Sequence, residues 1–215
     1  MTNTKILLFV FIALLVSVST LRAEEGGYIH INYGISSHST SFVSHYGAPT
    51  IDDDDLGFML SGGVLIGPNW GVDAMYYDLG KSSIKGDASD IFEIDGSMYQ
   101  FKSTGGGTVS HSTDGYGVGV IGFMSPDEGF MNAFAKFGLH NWDRSGSTTL
   151  LTDNTNINSR FYDDGIDLYA GFGVDFNVIE SIGINASYDI LGFGDDASIF
   201  TNTSTLLSLG ITATF

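Results

Sequence analysis

From residue 27 onward the chain repeats one device, apolar residues at every second position with small or polar residues between them. A period of two predicts β-strands with one greasy face, because successive side chains of a strand point to opposite sides. The clearest case covers 131–139: Met131, Ala133, Ala135, Phe137 and Leu139 share one side, and Asn132, Phe134, Lys136, Gly138 and the following His140 share the other. Residues 168–178 behave alike, with Leu168, Ala170, Phe172, Val174, Phe176 and Val178 opposite Tyr169, Gly171, Gly173, Asp175 and Asn177. Ile182, Ile184, Ala186, Tyr188 and Ile190 oppose Gly183, Asn185, Ser187 and Asp189. The last segment sets Leu207, Leu209, Ile211, Ala213 and Phe215 against Ser208, Gly210, Thr212 and Thr214. With 28–35, 56–66, 70–79 and 116–124 these make eight predicted strands.

The composition of the second face decides which way the strands look. A soluble sheet would carry Lys and Glu there, whereas this face is Gly, Ser, Thr, Asn and single acids, with Lys136 the one base in any predicted strand. Small polar residues suit the inside of a narrow eight-stranded barrel, and the apolar face would then meet lipid. Strands of about 9–11 residues are long enough to cross a bilayer when tilted. In lipid such a sheet must close, because an open edge leaves amide groups without water. The expected fold is therefore all-β, an eight-stranded antiparallel up-and-down transmembrane barrel.

Connections set the expected orientation. Turns near 67–69, 125–128 and 179–181 are tight, and they alternate with long connections over 37–55, 80–113, 143–164 and 192–203. Barrels of this kind place short turns in the periplasm and long loops outside, which would leave both termini periplasmic. Aromatic girdles are expected from Trp70, Phe130, Phe176 and Phe215 at the turn end and from Tyr76, Trp142 and Tyr188 at the loop end.

The first 23 residues read differently. Lys5, an apolar run over 6–18 and Leu21-Arg22-Ala23 have the layout of a secretory signal, and the run of about 13 residues falls short of the roughly 20 a spanning helix needs. A signal peptide over 1–23 and a barrel domain over 24–215 are expected. Cleavage there would take the formal charge from −17 to −19, since Lys5 and Arg22 leave and all 25 acids remain. That balance excludes phosphate-neutralising nucleic-acid binding, and the absence of cysteine excludes disulfides, thiolate metal sites and cysteine nucleophiles.

Several stretches carry a family resemblance. Residues 58–80, FMLSGGVLIGPNWGVDAMYYDLG, resemble the second hairpin of OmpA-type eight-stranded outer-membrane barrels, where a glycine-rich strand, a Pro-Asn turn, an aromatic and a Tyr-x-Asp-Leu-Gly ending recur. AKFGLHNWD (135–143) and YAGFGVDFNVIESIGINASYDI (169–190) are similar to that family's fifth strand and its sixth-to-seventh hairpin. The ending SLGITATF (208–215), with Gly210 and the final Phe215, resembles the signal by which such barrels are recognised for assembly. The resemblance spans the chain beyond the leader and lacks the family's peptidoglycan-binding domain. It implies the bacterial outer membrane, contact with outer-membrane lipids and lipopolysaccharide, handling by periplasmic chaperones and the barrel-assembly machinery, and a monomer.

In the resembled family, inward carboxylates and bases pair inside the barrel and can gate it. Here Asp73, Asp175 and Asp189 should face the lumen with Lys136 as counter-ion, beside Asn185 and His140. Asn185 and Ser187 stand where the resemblance would place an arginine and a glutamate. A polar plug that fills the barrel and a small cation-preferring pore are both compatible with that set. A third reading, lipid A modification, would need a histidine and a serine near the outer leaflet, for which His38, His45 and His111 with their neighbouring serines are candidates. Gly117-Val-Gly119-Val-Ile-Gly122 satisfies the dinucleotide-binding spacing but lies in a strand pattern with no helix after it. The acidic clusters Asp52, Asp53, Asp54 and Asp55, then Asp163-Asp164 and Asp195-Asp196, offer hard oxygen ligands for a divalent ion or serve as solvated runs, and no EF-hand spacing is present. The expectation is a non-enzymatic protein with a structural or surface-interaction role and no cofactor.

Overall fold

The alternating segments close into a ring. The computed structural model describes residues 26–39, 42–94, 97–101, 105–124, 130–151, 156–179, 181–194 and 203–215. Its strands are β1 (Gly27–His38), β2 (Phe42–Tyr46), β3 (Thr50–Asp52), β4 (Asp54–Gly67), β5 (Trp70–Gly86), β6 (Ile91–Ile94), β7 (Ser97–Gln100), β8 (Gly107–Phe123), β9 (Met131–Leu151), β10 (Asn156–Ile179), β11 (Ile182–Gly192) and β12 (Thr203–Thr214). Eight of them, β1, β4, β5, β8, β9, β10, β11 and β12, pair antiparallel with their neighbours in chain order, and β1 pairs with β12 to complete the circle. The leader expected over 1–23 lies outside the described residues.

Closure follows from the apolar face pointing outward. Ile31, Ile35, Val118, Phe137, Phe172, Leu209 and Ile211 are between 52 and 67% exposed, a continuous apolar belt that water would not tolerate and lipid does. Seam closure uses the chain ends: Gly27 N donates to Phe215 O at 2.7 Å, Phe215 N donates to Gly27 O at 3.0 Å, and the Phe215 ring lies where a side chain on Gly27 would go. Trp70, Phe130 and Phe215 project outward at the same turn-bearing end. Tyr76 and Tyr116 face each other across β5 and β8 near the other limit of the belt.

At that other end the described parts of three expected long loops, 37–55, 80–113 and 143–164, are largely strand, and residues 195–202 of the fourth lie outside the described residues. The pairing of β9 with β10 runs without a break from Met131↔Phe176 to Leu151↔Asn156, and β8 continues alongside as far as Gly107↔Leu150. A strand of 24 residues is about 80 Å long at ~3.3 Å per residue, so β10 extends far past the bilayer core of about 30 Å. On the far flank β1 and β12 stop near His38 and Thr203, so among the described residues the rise belongs to the side of β5, β8, β9 and β10. Residues 143–164 are mostly Ser, Thr, Asn and Asp, with Leu150 and Leu151 adjacent, so they show no period of two and read as loop in a sequence although the neighbouring strand supplies the pairing.

The tall side has a core of its own. A three-stranded sheet, β2-β6-β7, covers it, and Phe92 and Phe101 pack with Ile84, flanked by Phe42, Ile51 and Val109. A β-bulge between Asp78 and Lys81, with Gly80 at φ 72°, switches the parity of β5 so that Ser82 and Ile84 continue the inner face. Asp55 fixes that bulge, accepting from Lys81 N at 2.7 Å.

Candidate functional site

The alternation puts three stacked layers inside the barrel. At the turn end Tyr28, Ile121 and Phe134 pack together with Phe123. At the tall end Met59, Met75, Tyr77, Leu79, Trp142, Tyr169, Leu191, Phe193 and Leu206 form a larger apolar cluster. A polar layer lies between the two. Trp142 was expected in the outer girdle and is instead 4% exposed in the lumen. It shares the parity of His140 and Lys136, and Gly165 opposite it leaves room for the indole. The inner face is thus less uniformly polar than its Gly, Ser and Thr content predicts.

The polar layer holds the expected carboxylates, each with a separate set of partners. Lys136 Nζ lies 2.8 Å from Asp189 Oδ1, and both side chains are buried. Ser187 Oγ donates to the other Asp189 oxygen at 3.0 Å and meets Ser208 Oγ at 2.9 Å, while Asn32 Nδ2 donates to Ser187 at 3.0 Å. Gly171 makes space for the pair, since a Cβ there would sit 2.2 Å from Asp189 Oδ1 and 2.7 Å from Lys136 Cε.

Asp73 is served by two phenols. Tyr28 Oη donates to Oδ2 at 2.5 Å and Tyr169 Oη to Oδ1 at 3.2 Å. The Tyr169 ring reaches across because Gly119 and Gly138, directly opposite one another on β8 and β9, present no side chain in its way. Asp175 accepts from Thr212 Oγ1 at 2.5 Å and has His30 Nε2 at 3.4 Å, and Asn185 Nδ2 donates to the same Thr212 hydroxyl at 3.1 Å. The partners Tyr169, Thr212 and Ser187 were legible only as inward positions and Tyr28 only as part of a strand, because pairing across the lumen depends on which strands face one another.

His140 has a defined tautomer. Its Nε2 lies 2.9 Å from the Gly192 carbonyl, which can only accept, so Nε2 carries the proton and Nδ1 accepts from Tyr77 Oη at 2.6 Å. With Tyr77, Tyr169 and Phe193 as its ring neighbours, His140 sits among the tall-end apolar cluster rather than in the Lys136–Asp189 network. Gly210 lies on β12 between Asn32 and Asn185, and a Cβ on it would collide with Asn32 Oδ1 at 2.4 Å.

The remaining candidates separate. His45 pairs with Glu93 at 2.8 Å on the covering sheet, whereas His38 and His111 meet edge to face with ring centroids 5.6 Å apart at the mouth of the lumen. His38 Nδ1 meets Ser204 Oγ at 2.6 Å, but the two residues are 4% and 2% exposed, and neither faces lipid. Burial and the nearby Arg144 guanidinium hold His111 down at about 4. Asp52 to Asp55 straddle β3 and the start of β4, with Asp55 engaged at the bulge. Among the described residues no three acidic or histidine side chains converge on a metal-sized space. Asp195-Asp196 lie outside the described residues.

A closed eight-stranded ring with an apolar exterior and a packed interior defines a small transmembrane β-barrel. The chain belongs to the outer membrane protein beta-barrel domain family, which it matches over residues 8–215, and its location is the bacterial outer membrane. No curated protein sequence matches it. Among solved structures it is similar to Ail, the attachment invasion locus protein of Yersinia pestis, at 14% identity and a TM-score of 0.52, covering 89% of this chain and 99% of that one. Neisserial surface protein A matches at 16% identity and a TM-score of 0.52, covering 88% and 97%. OprG of Pseudomonas aeruginosa matches at 11% and a TM-score of 0.50, covering 89% and 97%. Likeness at these identities establishes the fold alone.

Proposed function

We propose that this barrel is a non-enzymatic membrane anchor that presents the tall sheet and its cover at the cell surface, and that it does not conduct. The observation that carries this reading is the three-layer lumen: nine apolar side chains at the tall end and a Tyr28-Ile121-Phe134 layer at the turn end close off a polar layer whose ion pair is already satisfied. An ion entering that path would have to displace packed rings and leave water behind, at a cost of several kcal/mol. The acidic bias of the polar layer favours cations, but packing on both sides of it opposes any flow. Chain beyond what the barrel needs is invested in the tall side, which has a separate core and the features of an interaction surface. The leader is removed after residue 23, the chain is a monomer with both termini periplasmic, and the tall end faces outward. Assembly uses the Gly210 and Phe215 ending, delivered by periplasmic chaperones to the barrel-assembly machinery.

Single-channel recording on the refolded barrel tests the first half of this proposal. No steady steps are expected from the wild type, and cation-selective steps that change with Asp175→Ala would give the protein to the pore reading. An epitope inserted after Gly105 tests the second half, since it should be labelled on intact cells; labelling only after lysis would reverse the orientation. Lipid A mass spectra with and without expression should be identical.

A further inference from the structure

Beyond the aromatic limit of the belt, the outward face of β5, β8, β9 and β10 changes chemistry row by row. The first row is acidic, with Asp78, Asp114, Asp143 and Asp164 directly opposite one another across four strands. The second row is Lys81, Ser112, Ser145 and Tyr162, and the third is Ser83, Ser110, Ser147 and Arg160. All of these but Ser83 line an open cleft of about 510 Å³, whose floor is Ser110, Ser112, Ser145 and Ser147 and whose ends are Lys81 and Arg160. The floor is shallow because serines flanked by Lys, Arg and Tyr leave a hollow, and the Phe161 ring packed against Gly146 backs it from the other side of the sheet.

The chemistry of the cleft narrows its ligand. Ser112 and Ser145 hydroxyls lie 3.2 Å apart and those of Ser110 and Ser147 3.4 Å apart. Each hydroxyl can donate once and accept twice, so every pair keeps capacity for a ligand rich in hydroxyl groups. Both formal charges lining the cleft are positive. Their strands are three strand spacings apart, about 14 Å at ~4.8 Å each, so a lone phosphate would engage one end and leave the floor empty. A saccharide bearing anionic groups spans the floor and reaches a cation. The aspartate row beneath repels anions from below, so they are seated toward Lys81 and Arg160, and Tyr162, whose hydroxyl donates to Asp143, marks the boundary between the two levels.

Position identifies the source. The cleft continues the face that meets lipid and lies one row above the acidic residues that follow the aromatic limit, so the molecules standing beside it are the outer leaflet's own headgroups. We propose that the cleft binds the phosphorylated saccharide of a glycolipid neighbouring the barrel, with the serine floor under its sugar rings and its phosphates at Lys81 and Arg160. The inference rests on the outward orientation of the tall end given above.

The test uses the full barrel in phosphatidylcholine nanodiscs, titrated calorimetrically with phosphorylated core oligosaccharide released from lipopolysaccharide and with the same oligosaccharide after phosphatase treatment. Saturable binding is expected, weakened at least tenfold by dephosphorylation and at least tenfold by the double variant Lys81→Gln, Arg160→Gln. Ser145→Leu, which fills the floor, should weaken it to a similar extent in a barrel that still shifts on heating in gels. Absence of saturable binding, or equal binding by the dephosphorylated sugar or by the double variant, overturns the proposal. In nanodiscs that contain lipopolysaccharide the cleft should already be filled, and added oligosaccharide should no longer bind. Undiminished uptake there would overturn the assignment to a neighbouring lipid and give the cleft to a soluble glycan. A silent cleft on a barrel whose epitope is labelled on intact cells removes this inference and leaves the anchor reading standing.

Discussion

Lys136 and Asp189 show how much one buried residue commits its neighbours. Neither side chain reaches water, so each is held by the other, with Ser187 donating to Asp189 and Lys136 also meeting Met59 Sδ. Removing one partner leaves an uncompensated charge, and Lys136→Met is expected to destabilise the barrel by about 3–5 kcal/mol in urea unfolding. The double variant Lys136→Met, Asp189→Leu should recover most of that loss, because two apolar side chains carry no desolvation cost. If the double variant is as unstable as the single, the cost lies in packing rather than charge. His111 gives a pH signature at the mouth of the lumen. Its ordinary value is 6.5 and its folded value about 4, with burial the main cause, then Arg144, then His38. Between those values the unfolded chain holds a proton that the folded chain does not, so the stabilisation is whole above pH 6.5 and is lost as pH falls toward 4, by up to about 3 kcal/mol. Urea midpoints at pH 7.5 and 4.5 check this, and His111→Gln should narrow the difference between them, leaving the share of His38, which burial also lowers.

Among the elements, the four strands that rise above the belt carry one internal conflict. Directly opposed carboxylates repel, and Asp114, flanked by Asp78 and Asp143, is held above the usual carboxylate range by its partial burial and by those two neighbours. Asp114→Asn is therefore expected to stabilise the folded barrel by a few tenths of a kcal/mol, measured at neutral pH and low salt. The covering sheet depends on its own small core. Phe92→Ala removes the ring that packs on Phe101, 5.2 Å between centroids, and should loosen β2, β6 and β7 by about 3 kcal/mol. Protease should then cut the cover while the heat-dependent gel shift of the barrel is unchanged. Loss of that shift would mean that the cover and the barrel fold as one unit. The barrel strands themselves were legible because the contrast between Leu or Phe and Gly or Ser at alternate positions is large. The upper halves of β9 and β10 were not legible, since Ser-Gly-Ser-Thr-Thr gives no such contrast and both faces there meet water or a thin cover.

At the scale of the whole molecule, the barrel is a ring whose interior is closed in layers and whose surplus chain is gathered on one side. The inward direction of Asp73, Asp175, Asp189, Lys136, Asn185 and His140 followed from parity alone, because a strand has two faces and the apolar one was already assigned. Parity also carried Tyr169 and Trp142 inward, but the girdle reading of Trp142 gave weight to its place near a strand end instead. The sequence by itself determined the number of strands in the ring, the outward apolar face and the set of inward polar groups, since each is a local property of period two and residue size. Only the tertiary structure decided which inward groups meet, because ring closure sets β1 beside β12 and brings Asn32 and Asn185 to either side of Gly210. The same holds for Tyr28, Tyr169 and Asp73, which converge from β1, β10 and β5 through the space left by Gly119 and Gly138. The one-sided rise of the sheet was likewise decided there: backbone pairing is supplied by a neighbour, and no single strand encodes where its neighbour ends.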